Sequence, residues 1–145
     1  MKNDISAIGN ALVDTVFKVE QSFISELGLE IDQMTLSSAE EHAPIIERLI
    51  ASGADTVSDC GGSATNSLVA AASFGAKCFH VCKVSEDQDG LRYLKSLKEA
   101  GVNHKGNTAL ADSVPTGKCL ILVTPDAKRT MTTALNVSSL MDESD

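Results

Sequence analysis

No stretch of this 145-residue sequence approaches the run of about 18 apolar residues expected of a membrane-spanning helix. Its start, MKNDISAIGN, lacks a basic segment leading into an apolar one, so no secretory signal is read there. Positive charge is scarce as well: 12 basic residues stand against 20 acidic ones, a net charge of -8. A nucleic-acid backbone or an anionic membrane would be repelled, so neither is expected as a partner, and the expected location is the cytoplasm. The four cysteines, Cys60, Cys78, Cys82 and Cys119, have neither the paired spacing of a zinc site nor the density of a disulfide framework. They are read as free thiols, and no metal site is expected. Low-complexity runs and internal repeats are also missing, while 43% hydrophobic and 22% charged residues describe a chain that folds. The length suits one domain or part of a larger one.

What is present alternates between strand and helix patterns. Residues 5–19 (ISAIGNALVDTVFKV) are β-rich, with Gly9 and Asn10 interrupting them as a bulge or a ligand-facing turn would. SSAEEHAPIIERLIASG predicts a helix with a capping box of Ser37 and Glu40, an apolar face of Ile45, Ile46, Leu49 and Ile50, and a stop at Gly53. Pro44 requires that this helix start near the proline or kink there. A second helix is expected from about Ala64 to Phe74 and a strand at KCFHVCKV, which places Cys78 and Cys82 on one face as packing residues. DQDGLRYLKSLKEAG follows as an amphipathic helix on Leu91, Leu94 and Leu97. This order argues for a mostly parallel sheet with covering helices. Around Pro125, Asp126 and Ala127 the last third predicts a hairpin. Of the histidines, His42 is expected on a helix surface, His80 in or near the core and His104 in a loop.

CGGSATN, residues 60–66, leads directly into the small-residue segment SLVAAASFGA. Two glycines leave no Cβ in the way, so a ligand can approach the main chain where a helix begins. The amides there, with the side chains of Ser63 and Asn66, suit hydroxyl groups. A tight turn before an ordinary core helix explains the same letters, and by composition alone is the simpler account.

GNALVD near the start, GGSATN, the helix ending KEAGV and PTGKCLILVTPDAKRTMTTAL, in that order, resemble the ribokinase-like (PfkB) carbohydrate kinases, and within them the adenosine-kinase-like branch. The resemblance runs over nearly the whole chain and covers the N-terminal half of such an enzyme. It implies the N-terminal part of a Rossmann-like, three-layer α/β/α kinase domain over residues 1–145, with a small β-sheet lid from strands at about 12–20, 54–60 and 116–135. It also implies that Asp14 grips two sugar hydroxyls with Asn10 nearby, that Gly62, Ser63 and Asn66 face the sugar, and that Arg129 reaches the transferring phosphate. A carboxylate suits a diol because it offers two acceptor oxygens and no donor. By their residue types alone, Asp14 also reads as a solvated or turn-capping aspartate, and Lys128 with Arg129 as an exposed basic pair next to a turn.

Two positions depart from the family's pattern: Leu68 stands where a small residue is usual, and Ser85 where glycine is. The family's catalytic aspartate, in a Gly-Ala-Gly-Asp segment, has no counterpart in this sequence, nor does a GxxxxGK[ST] loop. The full-length family enzyme uses ATP and Mg; this chain alone is expected to bind neither and to be inactive. The expected activity is therefore that of the substrate-binding and lid half of an ATP-dependent sugar or nucleoside kinase. The tail NVSSLMDESD closes no element, so truncation is expected. A non-catalytic nucleoside- or sugar-binding module and a self-associating fragment, dimeric through the lid or a sheet edge, stand as alternatives.

Overall fold

The computed structural model describes residues 2–109 and 114–145. In chain order the elements are strands β1 (Ile5–Ile8) and β2 (Leu12–Lys18), helix α1 (Gln21–Glu26), strand β3 (Met34–Leu36), helix α2 (Ala39–Ala51), strand β4 (Thr56–Gly61), helix α3 (Ser63–Ser73), strand β5 (Cys78–Ser85), helix α4 (Gln88–Glu99), strands β6 (Val102–Ala109), β7 (Gly117–Val123) and β8 (Arg129–Ala134), and a final 3-10 turn, Asn136–Leu140. The chain divides into two compact units. The first comprises Met1–Val13, Cys60–Gly117 and Asn136–Asp145, the second Asp14–Asp59 and Lys118–Leu135.

In the first unit β5 is the central strand of a parallel sheet ordered β1-β5-β6. Its alternation turns Cys78, His80, Cys82 and Val84 to one face, and all four are fully buried. Helices α3 and α4 cover that face, with Leu68, Tyr93 and Leu97 joining Cys78, Cys82, Val84 and Val102 in one cluster. Leu68 is thus a core residue. The two cysteines pack as expected, and burial pushes the Cys82 thiol up to about 12.

Helix α4 buries Gly90, Tyr93 and Leu97, whereas Leu91, expected on this face, is exposed. The stripe runs i, i+3, i+7 from Gly90, and Leu91 lies a further 100° round the helix. Gly90 sets that rotation, because a Cβ there would overlap the Ser85 carbonyl. Ser85 itself is buried and donates its amide to Thr116 Oγ1 at 3.0 Å. Asp87 caps α4 through the Gly90 amide at 2.7 Å and also accepts from the Thr116 amide and hydroxyl. His104, expected in a loop, lies in β6 opposite His80. The VNHKGNTA segment carries too few apolar residues to announce a strand, and its backbone pairing with β5 supplies what side chains do not.

The second unit is built on a five-stranded sheet ordered β3-β8-β7-β2-β4. The expected hairpin is present: β7 and β8 pair antiparallel, with Leu120 opposite Thr132. Phe17, Leu120 and Leu122 point to one face and pack with Ile24 and Leu49 from α1 and α2. The cap of α2 is displaced by one residue from expectation, since Ser38 and Glu41 form the capping box. Ser37 is unavailable for that task because its amide bonds the Thr133 carbonyl and its hydroxyl meets His42 and Thr132. Helix α2 runs through Pro44 from Ala39, so the Glu40 carbonyl has no helical amide opposite it.

His42 is a further correction. It is buried, with Nε2 at 2.8 Å from Ser37 Oγ and 3.3 Å from Thr132 Oγ1. It stands seven residues before Leu49 and so shares its inward stripe, while Ile50, a step further round, is exposed.

Candidate functional site

The candidate residues fall into two groups, one in each unit. In the first unit the double-glycine segment is the passage from β4 into α3, with Gly62 as the N-cap of α3. Gly62 has φ 102° and ψ 135°, a conformation L side chains rarely adopt. A Cβ there would stand 2.5 Å from the Asn10 carbonyl oxygen. The β1–β2 connection and the start of α3 therefore meet main chain to main chain, which no larger residue permits. The Gly62 carbonyl accepts from the Asn66 amide at 2.9 Å, and the Ser63 carbonyl from the Ser67 hydroxyl at 2.8 Å.

Asn10, Gly62, Ser63 and Asn66 are thus gathered at one corner, with the Asn10, Ser63 and Asn66 side chains exposed. The N-cap contributes no side-chain hydrogen bond, and the first amides of α3 have no carbonyl within the helix to accept from them. Such a corner can take hydroxyl or other oxygen ligands on main-chain donors.

In the second unit Asp14 lies on β2, half-buried, on the sheet face opposite Phe17. Burial raises its pKa, the Arg129 guanidinium draws it down, and the Asp59 carboxylate raises it further. Arg129, which opens β8, has an exposed side chain and donates its amide to Asp32 at 3.4 Å. Cys119 feels the same two charges: burial pushes its thiol up, the Thr133 hydroxyl bond lowers it, Asp14 raises it and Arg129 lowers it. The structure therefore joins Asp14 and Arg129 in one electrostatic neighbourhood.

Asp59, on β4, was not anticipated. It shares the alternation that places Asp14 outward, because Thr15 and Ser58 bond on the other face at 3.0 Å. Knowing the pairing of β2 with β4 would have revealed it; the letters around Asp59 do not.

A second group missing from the sequence reading is Thr65, His80 and Tyr93, three buried polar side chains in contact beneath the glycine turn. The signal was available in part: the alternation that pairs Cys78 with Cys82 sets His80 between them. Among the described residues no three or more His, Cys, Asp or Glu side chains stand together as a metal site would require. Among them, too, no helix is long and apolar enough to cross a membrane.

No curated protein matches the chain by sequence. Among solved structures, a probable sugar kinase protein from Rhizobium etli CFN 42 is similar at TM-score 0.89 and 26% identity, over 99% of this chain and 42% of that one. The adenosine kinase from Sinorhizobium meliloti is similar at TM-score 0.84 and 29% identity, over 100% of this chain and 43% of that one. The Anopheles gambiae adenosine kinase, in complex with P1,P4-di(adenosine-5) tetraphosphate, matches at TM-score 0.82 over 96% of this chain and 41% of that one. At 23% identity this last likeness speaks for the fold alone. The chain spans 41–43% of the length of these three structures, and its architecture is ribokinase-like α/β. Residues 29–145 match the family described as pfkB family carbohydrate kinase. With that match covering most of its length, the chain belongs to the pfkB family of carbohydrate kinases.

Proposed function

We propose that this chain is the acceptor-binding and lid portion of a kinase that transfers a phosphoryl group from ATP to a hydroxyl of a sugar or nucleoside, and that it is inactive by itself. The observation that carries this reading is Asp14. A half-buried carboxylate whose pKa is raised has been drawn partly out of water, and it keeps acceptor capacity that two adjacent hydroxyls would satisfy. In the second unit Asp14 would accept from the diol of the acceptor; in the first, the corner of Asn10, Gly62, Ser63 and Asn66 would offer main-chain and side-chain donors to hydroxyls. Arg129, which shares an electrostatic neighbourhood with Asp14, would meet negative charge arriving with the phosphoryl group. The sheet of β2, β4, β7 and β8 would serve as the lid that keeps water from the acceptor hydroxyl.

The full enzyme would use ATP with Mg. Neither is assigned to this chain by itself, whose sequence has no GxxxxGK[ST] or Gly-Ala-Gly-Asp segment. Its share of the chemistry is to bind and orient the acceptor and to exclude water. A cytoplasmic location belongs to the same proposal.

Calorimetric titration of the chain with adenosine and with ribose tests the reading. Binding of a ribose-bearing ligand should fall by about 100-fold or more in Asp14→Asn, since the charge that strengthens both hydrogen bonds is lost and one acceptor oxygen becomes an NH2 donor. Equal affinity in the variant would remove Asp14 from the site.

A second reading, self-association, is favoured by exposed apolar side chains on the strands at the two ends of the second unit's sheet. Met34 and Leu36 of β3 and Val57 of β4 are 53%, 62% and 69% exposed. Sedimentation at rising concentration would show a dimer that Leu36→Glu weakens; a monomer throughout would end this reading.

A further inference from the structure

We propose that Thr65, His80 and Tyr93 form a positioning network that holds the double-glycine turn in its ligand-receiving shape, a role that gives the proposed acceptor site its rigidity and rests on that reading. The three side chains come from α3, β5 and α4, and each is no more than 2% exposed. They lie against an apolar cluster of Leu68, Cys78, Cys82, Val84 and Leu97. Polar groups in such surroundings cost stability unless every one is partnered, so an apolar trio of the same shape would be the simpler core. Their partners account for the expense.

The hydrogen-bond directions follow from what each group can do. The Ala7 carbonyl only accepts, so His80 Nδ1, 3.3 Å away, donates to it. In the neutral ring Nε2 then accepts, and the hydroxyl donating to it is that of Thr65 at 3.2 Å. Thr65 Oγ1 in turn takes the short hydrogen bond from the Tyr93 hydroxyl, whose one proton is shared with the Gly61 carbonyl at 3.4 Å. The chain of donors thus runs Tyr93 to Thr65 to His80 to Ala7, tying the end of β1 to the glycine turn. Both surfaces of the turn touch it. A Cβ on Gly62 would meet Thr65 Oγ1 at 3.4 Å, and a Cβ on Gly9 would meet the His80 ring at 3.8 Å.

Because every member is satisfied, the network fixes two loops that otherwise consist of glycine, asparagine and serine. Gly9–Asn10 and Gly61–Gly62 carry no large side chains that could hold them from above. The hydroxyls and the ring hold them from below. On this account the residues do not touch ligand; they set the positions of Asn10 and of the first amides of α3.

Thr65→Val keeps the shape and removes the hydroxyl, Thr65→Ser keeps the hydroxyl, and Tyr93→Phe removes the second hydroxyl by an independent route. Amide hydrogen exchange at Asn66 and Gly9, whose amides bond the Gly62 and Val81 carbonyls, should quicken about tenfold in the full 145-residue chain in Thr65→Val and in Tyr93→Phe, as for loss of one buried hydrogen bond, and return to the original rate in Thr65→Ser. Adenosine affinity, measured on the same samples, should follow the exchange rates and not the melting temperatures. Unchanged exchange at the turn in both Thr65→Val and Tyr93→Phe would overturn the proposal, as would a Thr65→Ser variant as loose as Thr65→Val. If the original chain takes up no adenosine while Thr65→Val still loosens the turn, the network stands and the acceptor-site reading falls.

Discussion

The two units place their polarity in opposite ways. The first hides Thr65, His80 and Tyr93 inside its core and offers a ligand mainly backbone, at a corner where Gly62 and Asn10 meet. The second keeps Phe17, Leu120 and Leu122 on one sheet face and sets Asp14, Asp59 and Arg129 near one another on or about the other. A backbone site depends on shape, so almost any added atom damages it. A side-chain site depends on charge, so an isosteric neutral residue can leave the fold intact and remove the function.

The largest effect expected of a single change tests the inward face of the second unit. Leu122 is fully buried among Phe17, Ile24, Leu49 and Leu120, and Leu122→Ala should cost about 3 kcal/mol in urea unfolding. A loss below about 1 kcal/mol would mean that this face can collapse around the deletion, and the contrast between a packed face and a working face would fail.

Gly62→Ala and Asp14→Asn sharpen the contrast, because both should weaken ligand binding by about 100-fold or more while moving stability in opposite directions. Gly62→Ala strains a residue at φ 102° and drives a Cβ against the Asn10 carbonyl, so stability should fall by about 1–3 kcal/mol. Asp14 has a folded-state pKa raised by burial first, so its proton is held more tightly in the folded chain than in the unfolded one. Its favourable contribution is complete below the unfolded value of 3.8 and is lost as pH rises through the folded value, which leaves an ionised Asp14 as a cost at neutral pH. Asp14→Asn should therefore raise the melting temperature at pH 7. A fall there would show that the Arg129 charge outweighs burial.

The same contrast explains what could be read from the letters. The glycine corner was legible because Gly61 and Gly62 are themselves the device, and β5 because its alternation is regular. The hairpin of β7 and β8 was legible from its turn residues and apolar runs. Strand β6 was not, because it is held by backbone pairing with β5 and its side chains say little. The short elements α1 and β3 escaped for a similar reason: six and three residues are too few for a period to show. Asp14 and Arg129 could be named through a family resemblance, yet Asp59 became visible only once β4 was folded beside β2. His42 was misplaced because an apolar stripe was drawn through Ile50, when the helix turns on Leu49 and takes a histidine inward with it.

The smallest expected effect compares the two units through their buried histidines. His42 in the second unit and His80 in the first both have pKa values lowered from 6.5, in each case chiefly by burial. For His42 the Lys118 charge adds to the lowering, and the Thr132 backbone bond and Glu41 oppose it; for His80 the Ala7 bond opposes and His104 adds. A base whose folded pKa lies below its unfolded one takes up a proton on unfolding. The stability it allows is thus complete above 6.5 and declines as pH falls below that value. Each histidine can contribute a slope of up to about 1.4 kcal/mol per pH unit, one proton's worth. Unfolding free energies by urea between pH 7.5 and pH 5.5 should therefore decline, and His42→Gln and His80→Gln should each flatten the decline. In His80→Gln the flattening should come with faster exchange at Asn66, whose amide bonds the Gly62 carbonyl, because the buried histidine of the first unit holds the turn. His42→Gln should leave that exchange rate alone, since Ser37 and Thr132, its partners, belong to the packing of α2 on β8. Equal slopes in all three proteins would mean that both rings are reached by solvent protons without unfolding, and the division between a core that serves a site and a core that serves only the fold would lose its basis.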